Sequence, residues 1–485
     1  MDNTDLLAFS NDVWDRDILP TLHDYIAIPN VSPVFEHDWE SLGHMQRAVD
    51  LLEGWCRSRP IEGLTIEVHQ IPGRTPVIIM EIPASNGGSD DDTVLLYGHL
   101  DKQPELFGWR DGLGPWKPVV EGDNLYGRGG ADDGYSTFAA LTAIEAAQTA
   151  GFPLARCVVL IEASEESGSV DLPAHLDALA ERLGTPSLVI CLDSGCADYD
   201  HLWVTTSLRG LVAGQLDVSI LAEGVHSGEA SGVVPSTFRI GRQILSRIED
   251  QDTGEILLDQ LHVDIPPARV EELRDAAAVL PKTLAQVMPF LPGAQPVTDD
   301  PAQQLINHTW KPMLEITGAD GLPPCDRAGN VLRASTSLYL SLRLPPTRDA
   351  VDASNVLEQA LVADPPYGAH VSYRPDKHSQ GWNAPAFAPW LWDSLQAASK
   401  ATFGTSAHAF GEGGTISFMA MLGDKFPDAQ FAITGVLGPG SNAHGPNEFL
   451  HIPTGKKLTA AVALLLRDHA TRPSVGGPVS QEDAR

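Results

Sequence analysis

The stretch CVVLIEASEES, residues 157–167, runs apolar for five residues and then ends in a cluster of carboxylates. A short, continuous run of this kind reads as a strand buried on both faces, the pattern of a parallel sheet covered by helices. Two further stretches repeat the design, TVLLYGHLD (Thr93–Asp101) and LVICLDSG (Leu188–Gly195). In an open α/β sheet, ligands sit beyond the carboxyl ends of the strands. His99, Asp101, Glu165, Glu166 and Asp193 are therefore expected to converge on one sheet edge. LYGRGGADDG (Leu125–Gly134) adds Asp132 and Asp133 on a glycine-rich loop. Carboxylates gathered so densely repel one another unless cations lie among them, which points to a bound metal pair.

Outward from these strands the chain keeps an α/β rhythm. Ile18, Leu22 and Ile26, then Met45, Val49 and Leu52, recur at helical spacing, and strands are expected at Thr65–His69 and Val77–Ile82. The Ala-rich segment Asp133–Thr149 reads as a buried helix, with side-chain acceptors of ADDG suited to its N-terminus. After Arg209 the pattern changes. LVAGQLDVSIL (Leu211–Leu221) and SLYLSLRL (Ser337–Leu344) alternate as half-exposed antiparallel strands do. The expected organisation is a catalytic domain over residues 1–208 and 379–485, with a mostly parallel sheet flanked by helices. An α+β domain with an antiparallel sheet is inserted at 209–378. Late helices near Ala386–Phe403 and Thr454–His469, a strand in AQFAITGVL and a disordered tail, Thr471–Arg485, complete the reading.

Composition narrows the function. At 485 residues, two domains are the natural expectation. No apolar run approaches the roughly 20 residues a bilayer span needs, and the first residues lack the basic-then-apolar order of a signal peptide, so a cytoplasmic location is expected. A net charge of −32 repels phosphate backbones and anionic lipids, which disfavours nucleic-acid and membrane partners. The five scattered cysteines lack the paired spacing of a thiolate metal site.

Each chemical motif is weak alone. His99 and Asp101 lie two apart on a strand and so face one way; one can ligate while the other orients it. Adjacent Glu165 and Glu166 diverge, so one can reach a metal while the other serves as general base. A second imidazole is still needed, and TGVLGPGSNAHGPNEFLH supplies His444 on a late glycine-rich loop.

The ordered set GHLDKQPE, GPWKPVVEGDNLYGRGGADDG, EASEESGS, LDSG, GVHSG and NAHGPNE resembles the dinuclear zinc metallopeptidases that include carnosinases, aminoacylases and glutamate carboxypeptidases. The similarity is closest to the carnosinase-like cytosolic dipeptidases. The resemblance implies two divalent metal ions per subunit, zinc with manganese or cobalt as replacements. Asp132 would bridge them, His99 and Asp193 would complete one site, and Glu166 and His444 the other. It further implies Glu165 as general base, Asp101 as orienter of His99, and the inserted domain as a lid and dimerisation domain. In the implied homodimer His226, from GVHSG, acts in trans on the oxyanion, with Asn330 near the same oxygen. Arg343, with Gly414 and Thr415 of FGEGGTIS, would hold the substrate's terminal carboxylate.

Three departures stand out. Relatives carry Lys where this chain has Gly134, Arg where it has Gly411, and Asn-Val-Ile-Pro where Asn330 is followed by Val-Leu-Arg. The implied activity is hydrolysis of dipeptides or small amino-acid amides with a free carboxylate. An N-acyl-amino-acid amidohydrolase using the same metals is the competing enzyme. A catalytically dead metal-binding protein is disfavoured because it would not need Glu165 beside Glu166.

Overall fold

The structure, a computed structural model, describes residues 3–473. The tail expected to be disordered lies, from residue 474 on, outside the described residues. Two compact units emerge: one from the chain up to Thr205 with Pro385–His408 and the chain from Asp424, the other from Thr206–Ala384 and Ala409–Gly423. The loop and strand at Ala409–Gly423 thus sit in the second unit, whereas the sequence reading placed all of 379–485 in the first.

In the first unit a six-stranded sheet has the order Thr65–His69, Val77–Ile82, Arg156–Glu162, Thr93–His99, Pro186–Cys191, Gln430–Ile433. The last three junctions are parallel and the first two antiparallel. The parallel strands are buried along nearly their whole length, because helices cover both faces. One of these helices, Tyr135–Thr149, is buried from Tyr135 to Ala147, as expected of a helix apolar all round. The long closing helix Ile452–Thr471 packs against it. Strand order sets up the site. Thr93–His99 lies between Arg156–Glu162 and Pro186–Cys191, with His99 in register with Glu162 and Tyr97 with Cys191. The segments bearing Asp101, Glu165, Glu166 and Asp193 therefore leave the sheet side by side.

The second unit is built on a four-stranded antiparallel sheet ordered Met313–Asp320, Ser335–Leu344, Gly210–Ser219, His370–Ser379. Strand Ser335–Leu344 alternates buried and half-exposed. Its Leu338, Leu340, Leu342 and Leu344 pack with Ile240, Ile244, Leu357 and Leu361 of two helices, while Arg343 points to the other face. The fold is thus mixed α/β with a mostly parallel central sheet and an antiparallel-sheet domain, as expected from the sequence. Among the described residues no helix is long and apolar enough to cross a membrane, and all five cysteines are free thiols.

Candidate metal centre

Five segments of the first unit bring His99, Asp132, Asp133, Glu166, Asp193 and His444 together. Asp132 is the centre. One of its oxygens lies 3.3 Å from His99 Nε2, the other 3.1 Å from His444 Nε2. Asp193 approaches His99 Nε2 at 3.7 Å, and Glu166 approaches His444 Nε2 at 3.3 Å. Two groups have ligand-type atoms mutually within 4.8 Å: His99, Asp133 and Asp193, and Asp132, Glu166 and His444. Asp133 is the member that the sequence reading did not count among the metal ligands.

The ADDG loop corrects one expectation. Neither aspartate caps the helix that follows, and no side-chain cap bond forms. Asp133 instead accepts the backbone N–H of His99 at 3.2 Å, and Asp132 is spent on the two imidazoles. This close approach of loop and strand explains Gly98: a Cβ there would lie 2.1 Å from Ser136 Oγ and 2.7 Å from Asp133 Oδ2. Gly134, where the resemblance expects Lys, has no room either. Its Cβ would meet the Tyr25 ring at 2.2 Å. The buried ammonium of Lys102 lies 3.9 Å from the centre of that ring and donates to the Tyr25 and Ile28 carbonyls.

Asp101 does more than face His99. Ring nitrogen Nδ1 of His99 lies 3.1 Å from the Asp101 backbone carbonyl and 3.5 Å from its carboxylate. The Asp101 carboxylate accepts the backbone N–H groups of Glu165 and Glu166, at 3.1 and 3.0 Å. It therefore fixes the turn on which the two glutamates diverge. Gln103 donates to Glu166 Oε2 at 2.5 Å, while the Glu165 carboxylate has no hydrogen-bond partner among the described residues. Behind the turn, buried Glu162 accepts from Tyr97, Ser164 and Ser169. Burial, then the charge of Asp101, pushes its carboxyl up to about 7.

The His444 loop is held by a buried ion pair that the sequence did not advertise. Arg128 pairs with Glu448, both essentially inaccessible, and donates to the Gly445 carbonyl at 2.9 Å. Glu448 in turn accepts the Gly129 N–H at 2.8 Å. The loop carrying Asp132 and the loop carrying His444 are thereby clamped together. The clamp holds His444 at φ +62°, a conformation that non-glycine residues adopt at some cost.

Charge decides what such a cluster can hold. Burial, then repulsion from Asp193, raises the carboxyls of Asp133 and Glu165 well above the usual range. Burial and then Asp132 do the same to Glu166. His99, although burial opposes it, is raised by Asp193 and its other acidic neighbours, and His444 by Asp132. Asp132 is lowered despite burial because it faces both imidazoles. Apart from Asp132, which faces both imidazoles, these groups are all shifted upward, the sign that burial and a deficit of positive charge produce in a carboxyl and that acidic neighbours produce in an imidazole. Asp133 Oδ1 is moreover a buried acceptor without a partner. Mixed imidazole and carboxylate donors, three to a group, suit zinc, manganese or cobalt. The residues fit divalent cations.

The remaining expected residues lie in the second unit. Val225–His226 and Val331–Leu332 form a two-stranded ribbon, on which the Ser227 N–H donates to the Asn330 carbonyl at 2.9 Å. His226 and Asn330 are therefore neighbours, both exposed. Arg343 donates to Thr415 Oγ1 at 3.2 Å, and Gly414 is exposed beside it. Gly411, where the resemblance expects Arg, is closed to any side chain, since its Cβ would lie 2.5 Å from Ser207 Oγ and 3.0 Å from Thr309 Cβ.

The chain is 28% identical to a cysteinylglycine-S-conjugate dipeptidase of Corynebacterium striatum over 74% of its own length and 77% of the relative's. It is 26% identical to the human beta-Ala-His dipeptidase over 64% of this chain and 62% of that one. The solved structure of the Saccharomyces cerevisiae di-peptidase Dug1p shares the fold, with a TM-score of 0.78 at 20% identity, covering 97% of this chain and 99% of that one. A family model matches residues 95–468. The chain belongs to peptidase family M20/M25/M40 and is an enzyme, a metallopeptidase hydrolase.

Proposed function

We propose that the chain is a dipeptidase with two divalent metals per subunit, zinc with manganese or cobalt as replacements, cleaving dipeptides or small amino-acid amides that carry a free carboxylate. The observation that carries this reading is Asp132, whose two oxygens face two different imidazoles, each with a further carboxylate beside it. His99, Asp132 and Asp193 would hold one cation and Asp132, Glu166 and His444 the other. Such a pair, when bound, lowers the pKa of a water and polarises a scissile carbonyl.

The chain's own groups supply the rest. Glu165 takes the water's proton on its unpartnered carboxylate and returns it to the nitrogen of the departing amine. Asp101 keeps Glu165 and Glu166 diverging by holding both their N–H groups, and the Asp101 carbonyl fixes the tautomer of His99. Arg343, with Gly414 and Thr415, takes the terminal carboxylate, a task suited to a guanidinium fork. His226 of the partner subunit, with Asn330 beside it on the same ribbon, stabilises the oxyanion in a cytoplasmic homodimer. Similarity to two proteins named as dipeptidases favours aminoacyl over N-acyl substrates.

Metal stripping is the test. Prolonged chelation should abolish dipeptide hydrolysis, and zinc or manganese should restore it at two equivalents per subunit. Undiminished hydrolysis by a protein verified metal-free would end the proposal. For the shared site, mixing Glu165→Gln with His226→Ala protomers should regain activity, and verified heterodimers that stay inert would remove the trans assignment.

A further inference from the structure

Arg209 lies outside every motif that suggested the function, yet it is only 8% exposed and its surroundings are built around it. Its N–H donates to the Gly414 carbonyl at 3.0 Å and its Nε to the Gly413 carbonyl at 3.1 Å. Its own carbonyl accepts Thr415 Oγ1 at 2.6 Å. That same hydroxyl accepts from Arg343 Nη1 at 3.2 Å, so one threonine links two arginines. Among the described residues neither arginine pairs with a carboxylate. The terminal nitrogens of Arg209 have no protein partner there, nor are they sealed from solvent.

We infer that Arg209 and Arg343 form a single anion site for two carboxylates, and that the enzyme prefers dipeptides whose C-terminal residue is aspartate or glutamate. This rests on the dipeptidase reading above and deepens it. The argument is one of charge count. Burying a cation without a partner is costly, and here two guanidiniums share one small region. A dipeptide with a neutral C-terminal side chain brings one carboxylate and leaves the second cation unmatched. An acidic C-terminal residue brings two, and each guanidinium retains at least two free N–H-bearing nitrogens with which to grip one. The electrostatics agree. Burial, then Arg343, pushes Arg209 down to about 10, and burial lowers Arg343. His308, whose ring packs on Gly413, is pushed down to about 4 by its protein surroundings and then by both arginines. At neutral pH it adds no third charge.

The experiment compares isosteric pairs on the metal-loaded enzyme, Ala-Glu against Ala-Gln and Ala-Asp against Ala-Asn. The acid of each pair should be favoured in kcat/KM by at least about tenfold, the difference residing mainly in KM. Arg209→Met should bring that ratio towards one, and Arg209→Lys should keep part of it. Equal kcat/KM for acid and amide in the unaltered enzyme would overturn the inference while leaving the dipeptidase reading intact. That measurement needs no variant to fold. Failure to cleave any of the four would overturn the reading and the inference together. A preference for acids that survives in folded Arg209→Met would take the role away from Arg209.

Discussion

The two units concentrate charge of opposite sign. In the first, Asp132, Asp133, Asp193, Glu165 and Glu166 crowd two imidazoles; in the second, Arg209 and Arg343 share Thr415 with no carboxylate partner among the described residues. Each is a half of something. Folding does not place uncompensated charge in protected surroundings without cost, so each cluster marks a place where a ligand supplies the missing sign. On the readings proposed above, cations would complete the first and carboxylates the second. The difference lies in how the charge is supported. The acidic cluster rests on the ends of buried strands and a fully enclosed ion pair, whereas the basic one rests on loop carbonyls and a hydroxyl.

Removing the group that does chemistry without touching the charge balance of the ligands should give the largest effect. Glu165→Gln leaves His99, Asp132, Glu166, Asp193 and His444 in place and removes the proposed base. Turnover is expected to fall by roughly 10²–10⁴-fold, with metal content by elemental analysis equal to that of the unaltered enzyme. A normal rate at normal metal content would show that the acidic cluster holds its base elsewhere.

The support of the acidic cluster can be broken next. Arg128→Met leaves Glu448 as a buried, unpaired carboxylate, and losing one partner of such a pair costs about 3–5 kcal/mol. Chemical denaturation should read that loss. Metal affinity should drop as well, because Gly445, next to His444, loses its hydrogen bond. Adding Glu448→Gln removes the stranded charge yet keeps an acceptor for the Gly129 N–H, so the double variant should recover more than half of the stability. A double variant no more stable than Arg128→Met alone would mean that the clamp acts by packing and not by charge.

How much of this was legible follows from the same contrast. The strands at Thr93–His99, Arg156–Glu162 and Pro186–Cys191 could be read because continuous apolar runs have few alternative fates. Their polar ends pointed to the acidic cluster for the same reason, since those ends leave the sheet side by side. That Asp101 lies beside His99 was legible, but not that it accepts two N–H groups, because that depends on how the Glu165–Glu166 turn folds back over it. Arg128 and Glu448 lie 320 residues apart, and nothing local distinguishes either from a surface charge. Arg209 is disguised in another way. It sits between two strand segments, where an arginine usually faces water, and only the return of Gly413–Thr415 encloses it. Gly134 and Gly411 read as departures from a pattern, but the reason for each is a neighbour distant in sequence, Tyr25 in one case and Ser207 and Thr309 in the other.

The smallest effect expected belongs to the basic cluster and is one of slope. His308 takes up its proton near pH 6.5 in an unfolded chain, but only near about 4 in the folded one, through its protein surroundings and the charges of Arg209 and Arg343. Between those values the unfolded chain binds a proton that the folded chain does not, so stability falls as the pH is lowered from about 6.5 to about 4. Above pH 7 both states leave the ring neutral and the term vanishes. His308→Asn should therefore melt in parallel with the unaltered protein above pH 7 and lose stability less steeply below about 6.5. His308 is an exposed residue, and solvent screens the two guanidiniums, which keeps the difference small. A dicarboxylate seated between Arg209 and Arg343 would offset their charge, lift His308 and narrow the gap between the two melting curves. Curves that stay parallel down to pH 4.5 would show that the exposed ring is not shifted at all, whereas curves that diverge but do not respond to the dicarboxylate would show that His308 does not feel the arginines.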